Sequence, residues 1–111
     1  SDTERGKSRG PLAKLRPSIS KVVVGVAKHY KVSEKSIYKA ARGPGSKNIP
    51  RWIAMYLCQE LSGVTLQEIA KRFGLKRYGT VSTTVGKLKQ EFQTTPKTVT
   101  AVKKLRTQLA P

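Results

Sequence analysis

The 111-residue chain is long enough for one compact domain, and its 37% hydrophobic content supports a modest core. Twenty-three Lys and Arg against six Asp and Glu give a formal charge of +17 and a sequence pI near 10.5, which points to a polyanionic partner: DNA, RNA (ribosomal RNA in particular) or an acidic membrane leaflet. No apolar run approaches the roughly 20 residues of a bilayer span, the start SDTERGKSRG lacks a signal peptide's apolar stretch, and one Cys with one His excludes an internal disulfide and a four-ligand zinc site.

The expected compartment is the cytoplasm. An irregular, charged start without Met is expected of a fragment of a longer protein, although a processed or cloned N-terminus reads the same way. Residues 1–16 carry five Lys/Arg, two Gly and a Pro with no apolar period, which predicts a flexible basic arm or linker that either touches phosphates or is simply solvated. The remainder, 17–111, is expected to be a single helical domain.

Ile19, Val22, Val23, Val26 and Tyr30 fall on one helical face behind Ser18 as N-cap, predicting a first helix over about 18–30. Lys28 and His29 in its last turn suit the helix dipole. Ser33 caps a second helix that has Glu34 in its first turn, turns Ile37 and Ala40/Ala41 inward and ends at Arg42. RGPGSKN (42–48) is then an exposed basic loop. Asn48 or Ser46 caps a third, central helix over about 49–62, with Pro50 in its first turn and Gly63 at its end. Thr65 caps a fourth, about 66–73, which Gly74 stops. A fifth spans about 77–93, with Val81, Val85, Leu88 and Phe92 inward. A sixth starts at Thr95-Pro96 and packs Val99, Val102, Leu105 and Leu109. The predicted class is all-α, with about six helices.

The fourth and fifth helices, LQEIAKRFGLKRYGTVSTTVGKLKQ, have the layout of a helix-turn-helix: a short helix, a tight turn holding Gly, and a second helix with a polar, basic outer face. Base reading requires small hydroxylated and basic side chains at the start of that second helix. Arg bonds guanine O6 and N7 together, while Thr offers a hydroxyl and a methyl. Two amphipathic helices around a Gly are also common in any helical bundle; the +17 charge and the almost acid-free face of helix five favour DNA.

The run IPRWIAMYLCQELSGVTLQEIAKRFGLKRYGTVSTTVGKLK resembles the signature of the C-terminal DNA-binding domain of the bacterial replication initiator family DnaA. VAKHYKVSEKSIY is similar to that domain's first two helices and RGPGSKN to its basic loop, so the resemblance covers about 19–109. It implies a Trp-repressor-like, six-helix domain that binds duplex DNA through both grooves. Carried over by position, Arg42 takes the minor-groove role with Lys47 beside it, Arg51 holds phosphate, and Thr65 faces phosphate at a helix start. Lys76, Arg77, Tyr78, Gly79 and Thr80 form the base-reading corner, with Thr83 and Lys87 further along the groove. Where the initiators carry Arg-Asp-His-Thr/Ser-Thr, this chain has KRYGT, so a different target site is implied. That departure resembles the DnaA-like C-terminal domain of some REP-associated tyrosine transposases; an initiator-like protein and a stand-alone regulator of the same fold are the alternatives.

No enzyme is expected on this chain. It has no Walker loop, and one His cannot form the metal-binding pair such a transposase needs beside its catalytic Tyr. No cofactor, metal, small-molecule substrate or membrane partner is expected, and a monomer is favoured. The main alternative from another class, an RNA-binding protein, needs exposed aromatics to stack on unpaired bases, and only Trp52 and Tyr78 are candidates.

Overall fold

The computed structural model describes residues 16–40 and 47–110. Apart from Arg16, the expected basic arm lies outside the described residues, as do Ala41, Arg42 and Ser46. Six helices and no strand occur among the described residues: α1 (Ile19–Tyr30), α2 (Glu34–Tyr38), α3 (Ile49–Leu57), α4 (Leu66–Arg72), α5 (Gly79–Thr94) and α6 (Pro96–Leu109). The all-α expectation holds.

Local chemistry sets most boundaries. Ser18, Ser33, Asn48 and Thr65 each accept a backbone N–H three residues on, satisfying a donor that the first turn of a helix cannot pair internally. α1 ends on Lys31 in the left-handed region (φ 57°), where the Val32 N–H returns to the Ala27 carbonyl at 3.0 Å. α3 runs on into a π-helical turn, Cys58–Ser62, closed by Gly63 at φ 68°. That continuation accounts for the predicted third helix reaching residue 62.

α3 is the central element. It packs against α1, α2, α5 and α6, and Ile53, Met55 and Leu57 are fully buried, each contributing about 1.5–3 kcal/mol of hydrophobic stabilisation. α1 supplies Val22, Val23 and Val26 to the same core, and α5 supplies Val81 and Leu88. α6 departs from expectation: Thr98 and Ala101 are buried alongside Val102, Leu105 and Leu109, while Val99 is only half-buried. No described helix is long and apolar enough to cross a membrane.

Cys58 sits in this core, and burial pushes its thiol up to about 12. The thiolate is the reactive species, so iodoacetamide at pH 8 is expected to leave the folded domain unlabelled and to alkylate it fully in denaturant. Stoichiometric labelling of the native domain, followed by mass spectrometry, would contradict this placement.

Candidate nucleic-acid interface

α4, the turn 73–78 and α5 form the helix-turn-helix. Its hinge is Gly74 at φ 68°, a left-handed conformation that costs other residues roughly 1–2 kcal/mol. The Leu75 N–H donates to the Ala70 carbonyl at 2.8 Å and closes the end of α4. α5 begins at Gly79, two residues later than the hydrophobic pattern predicted. Tyr78 caps it from a helical conformation and gives no side-chain hydrogen bond. Lys76, Arg77 and Tyr78 therefore belong to the turn, and Arg77 precedes the helix on which it was expected, with its carbonyl accepting the Thr80 N–H at 3.2 Å. All three side chains are exposed, Tyr78 at 57%.

Together with Gln67, Ala70, Lys71, Leu75 and Gly79, these residues line a concavity of about 670 Å³ between α4 and the start of α5. Its lining combines the apolar Ala70 and Leu75 with three cations, Lys71, Lys76 and Arg77. Gln67 and Lys71 were missed by the sequence reading, although their i, i+4 spacing puts them on one face of α4.

Along α5, Thr80, Thr83 and Lys87 are exposed at i, i+3 and i+7, away from the buried Val81, Val85 and Leu88, and Thr84 sits half-buried at the edge between the two faces. The Thr83 hydroxyl donates to the Gly79 carbonyl at 3.2 Å and that of Thr84 to the Thr80 carbonyl at 2.8 Å. With their protons turned into the helix, these hydroxyls offer methyl groups and lone pairs outward. Gly79 and Gly86 complete this surface. A Cβ at either meets nothing within 4 Å, so packing explains neither glycine, although each weakens a helix by about 0.5–1 kcal/mol. Gly86 carries the same signal a lone Gly in any helical pattern gives, and the sequence reading passed over it. The first three turns of α5 hold no acidic residue.

The described residues include the two roots of the basic loop. α2 ends at Tyr38 rather than Arg42, because Lys39 is already extended (φ −101°, ψ 139°) and Asn48 Nδ2 takes the Ser36 and Lys39 carbonyls, each at 2.8 Å. Asn48, on the chain leaving the loop, thus clamps the segment that enters it while capping α3 with its Oδ1. Ala40, expected inward, is exposed. Lys47 is committed to Glu91 of α5, with Nζ 2.6 Å from Oε2. Arg42 lies outside the described residues.

Arg51 requires correction. Instead of lying open to phosphate it is 5% exposed, and its guanidinium donates to the carbonyls of Ile37, Tyr38 and Phe73 at 3.4, 2.5 and 3.0 Å. Its Cζ also stands 5.4 Å from the Phe73 ring centroid. Burial lowers its pKa from the ordinary arginine value. It is a cation plugged between the C-terminal ends of α2 and α4, where unpaired carbonyls and the helix dipoles favour positive charge. Arg72 reinforces this junction through Ser20 Oγ (2.7 Å) and Tyr38 Oη (3.3 Å). Thr65 is exposed at the start of α4, its hydroxyl accepting the Glu68 N–H. Trp52 packs half-buried against the core, which leaves Tyr78 as the exposed aromatic of the two the sequence singled out.

A hinge glycine, a short scaffold helix and an acid-poor helix with cations at its start define the class as a helix-turn-helix DNA-binding domain. The family model described as bacterial dnaA protein helix-turn-helix matches residues 19–88, and the chain belongs to this family. Relatives include the chromosomal replication initiator proteins DnaA of Lachnoclostridium phytofermentans, 32% identical over 78% of this chain and 19% of the initiator, and of Lactobacillus delbrueckii subsp. bulgaricus, 32% identical over 97% of this chain and 25% of the initiator. The corresponding protein of Limosilactobacillus fermentum is 39% identical over 61% of this chain and 15% of its own length. The chain thus spans a quarter or less of the initiators it resembles.

Proposed function

We propose that the domain recognises a specific duplex sequence with α5 in the major groove and the basic loop around Arg42 in the adjacent minor groove. The observation that carries this reading is the bare start of α5. Arg77, Tyr78, Gly79 and Thr80 are all exposed there, and no side chain caps the helix. A base edge therefore meets a free cation, a free ring and a backbone without Cβ in succession. Lys76 and Lys87 flank this corner as phosphate contacts, and Thr65 offers a further one from the start of α4. Lys47 contributes by holding the loop root on Glu91 rather than by binding phosphate directly.

The parent role supported by the relatives' names is that of an initiator-like DNA-binding module, for which we propose a place on the bacterial nucleoid. A second reading, the DNA-binding domain of a transposase-related protein, is favoured by one observation, the Arg77-Tyr78 pair where the initiator signature has Asp-His. Both readings need the same recognition step. Selection of bound duplexes from a random pool is expected to enrich a motif of several consecutive base pairs. A pool that stays random while being retained at low salt would reduce the domain to a non-specific polycation.

A further inference from the structure

We propose that the face built by α1 and α6 is a second duplex-DNA-binding surface, so that one copy of the domain bridges two DNA segments. The charge of the domain is not confined to the helix-turn-helix. Neither α1 nor α6 contains an acidic residue, and the two helices pack directly on each other. Their contact is fixed at Gly25, where a Cβ would stand only 3.0 Å from Leu109 Cδ2. Lys21 and Lys28 lie on the same stripe of α1 as Gly25, at i, i+4 and i+7, and therefore border α6. On α6 the exposed side carries Lys97, Lys103 and Lys104. The fourth cation of α6, Arg106, turns to Tyr56 Oη at 2.8 Å and Glu60 at 3.5 Å instead. Among the described residues, none of these five lysines has an acidic partner.

The spacing suits a phosphate backbone. Lys21 with Lys28, and Lys97 with Lys104, are each seven residues apart, which is two turns and about 10 Å along a helix. Phosphates advance about 3.4 Å along the axis per nucleotide of one strand, so each pair spans three steps. No base-reading geometry accompanies them, and binding on this face is sequence-independent and salt-sensitive. The lysines of this face belong to helices other than α4 and α5, the two that form the helix-turn-helix. α6 packs on α1, α3 and α5, whereas the main partners of α4 are α5 and the π-helical turn. Bridging rests on the reading of α5 for its first duplex, but the second face stands on its own residues.

The test is a capture assay. A duplex carrying the selected site is fixed to beads, the 111-residue protein is added, and retention of a second, fluorescent duplex of unrelated sequence is measured beside the affinity for the first duplex alone. The parent protein is expected to capture the second duplex. K97Q/K104Q is expected to bind the first within about threefold of the parent yet to need about tenfold more protein for capture. K31Q/K35Q, which removes the same charge from the C-cap of α1 and from α2, is expected to capture normally. Circular dichroism confirms that both variants fold. Equal capture by the parent and K97Q/K104Q overturns the proposal, as does an equal loss in both variants, which would make capture a matter of net charge. Displacement of the second duplex by single-stranded RNA far better than by duplex DNA also overturns it, making the occupant RNA. Failure of the parent to bind even the first duplex condemns the α5 reading instead, whereas binding the first without capturing the second condemns only this proposal.

Discussion

Arg51→Ala is expected to cost about 3–5 kcal/mol of folding stability, because it removes a buried cation from three carbonyls, those of Ile37 and Phe73 in buried bonds and that of Tyr38 in a partly buried one. A hydrogen bond to a charged group contributes about 1.5–3 kcal/mol, and each buried acceptor left unpaired costs roughly 1–3 kcal/mol. The lost packing on Phe73 adds to this. For a domain of this size the melting temperature should fall by about 15 °C or more. Arg51→Lys is expected to recover less than half of the loss, since one ammonium lacks the fork that spans Ile37, Tyr38 and Phe73. Thermal and urea melts of the free protein measure the effect without DNA. If Arg51→Ala melted with the parent and lost only DNA affinity, the buried geometry would be wrong and the phosphate role right.

Arg51 also marks where the sequence stops being informative. Helix periodicity and capping residues are local, so Ser18, Ser33, Asn48 and Thr65 placed the helix starts correctly, and Gly63 and Gly74 placed two of the ends. Whether an arginine at a helix start faces water or the core depends on what a distant segment brings to it. Phe73 is 22 residues away, and nothing in the motif PRW reveals that its carbonyl lands on Arg51. The end of α2 failed for a similar reason. Ala40 and Ala41 extend an acceptable helical pattern, but Asn48, across the loop, takes the Ser36 and Lys39 carbonyls and holds the chain extended. Lys47 is exposed, as a charged loop residue should be, yet its partner Glu91 is 44 residues away. The exposure of the KRYGT corner was legible because its residues are contiguous: they need only the turn at Gly74 to reach the surface together. The start of α5 was misplaced by two residues because Lys76 and Arg77 are good helix formers, and the apolar stripe cannot say whether the turn preceding Val81 is already helical.

In the proposed binding mode, moving the helix start changes the direction from which Arg77 approaches the duplex but not the size of the effect expected of it. Arg77 stands in the turn with its carbonyl bonded to the Thr80 N–H, which keeps the two residues adjacent at the mouth of α5. From there its side chain enters ahead of the helix, Thr80 follows from the first turn, and Lys87 lies about 10 Å further along the same stripe. Arg77→Ala is expected to cost about 1–3 kcal/mol on the selected site, a loss of roughly 5- to 150-fold in affinity, and to relax the preference at one base pair. Lys87→Ala should weaken selected and random duplexes alike, as a phosphate contact does. Tyr78→Phe separates a hydroxyl contact from stacking or packing by the ring, and Tyr78→Ala removes both. Unaltered affinity and site preference in both variants would place the ring outside the interface. The comparison on random DNA decides the rest: if Arg77→Ala loses as much there as on the selected site, Arg77 holds only the backbone and α5 is not the element that reads sequence.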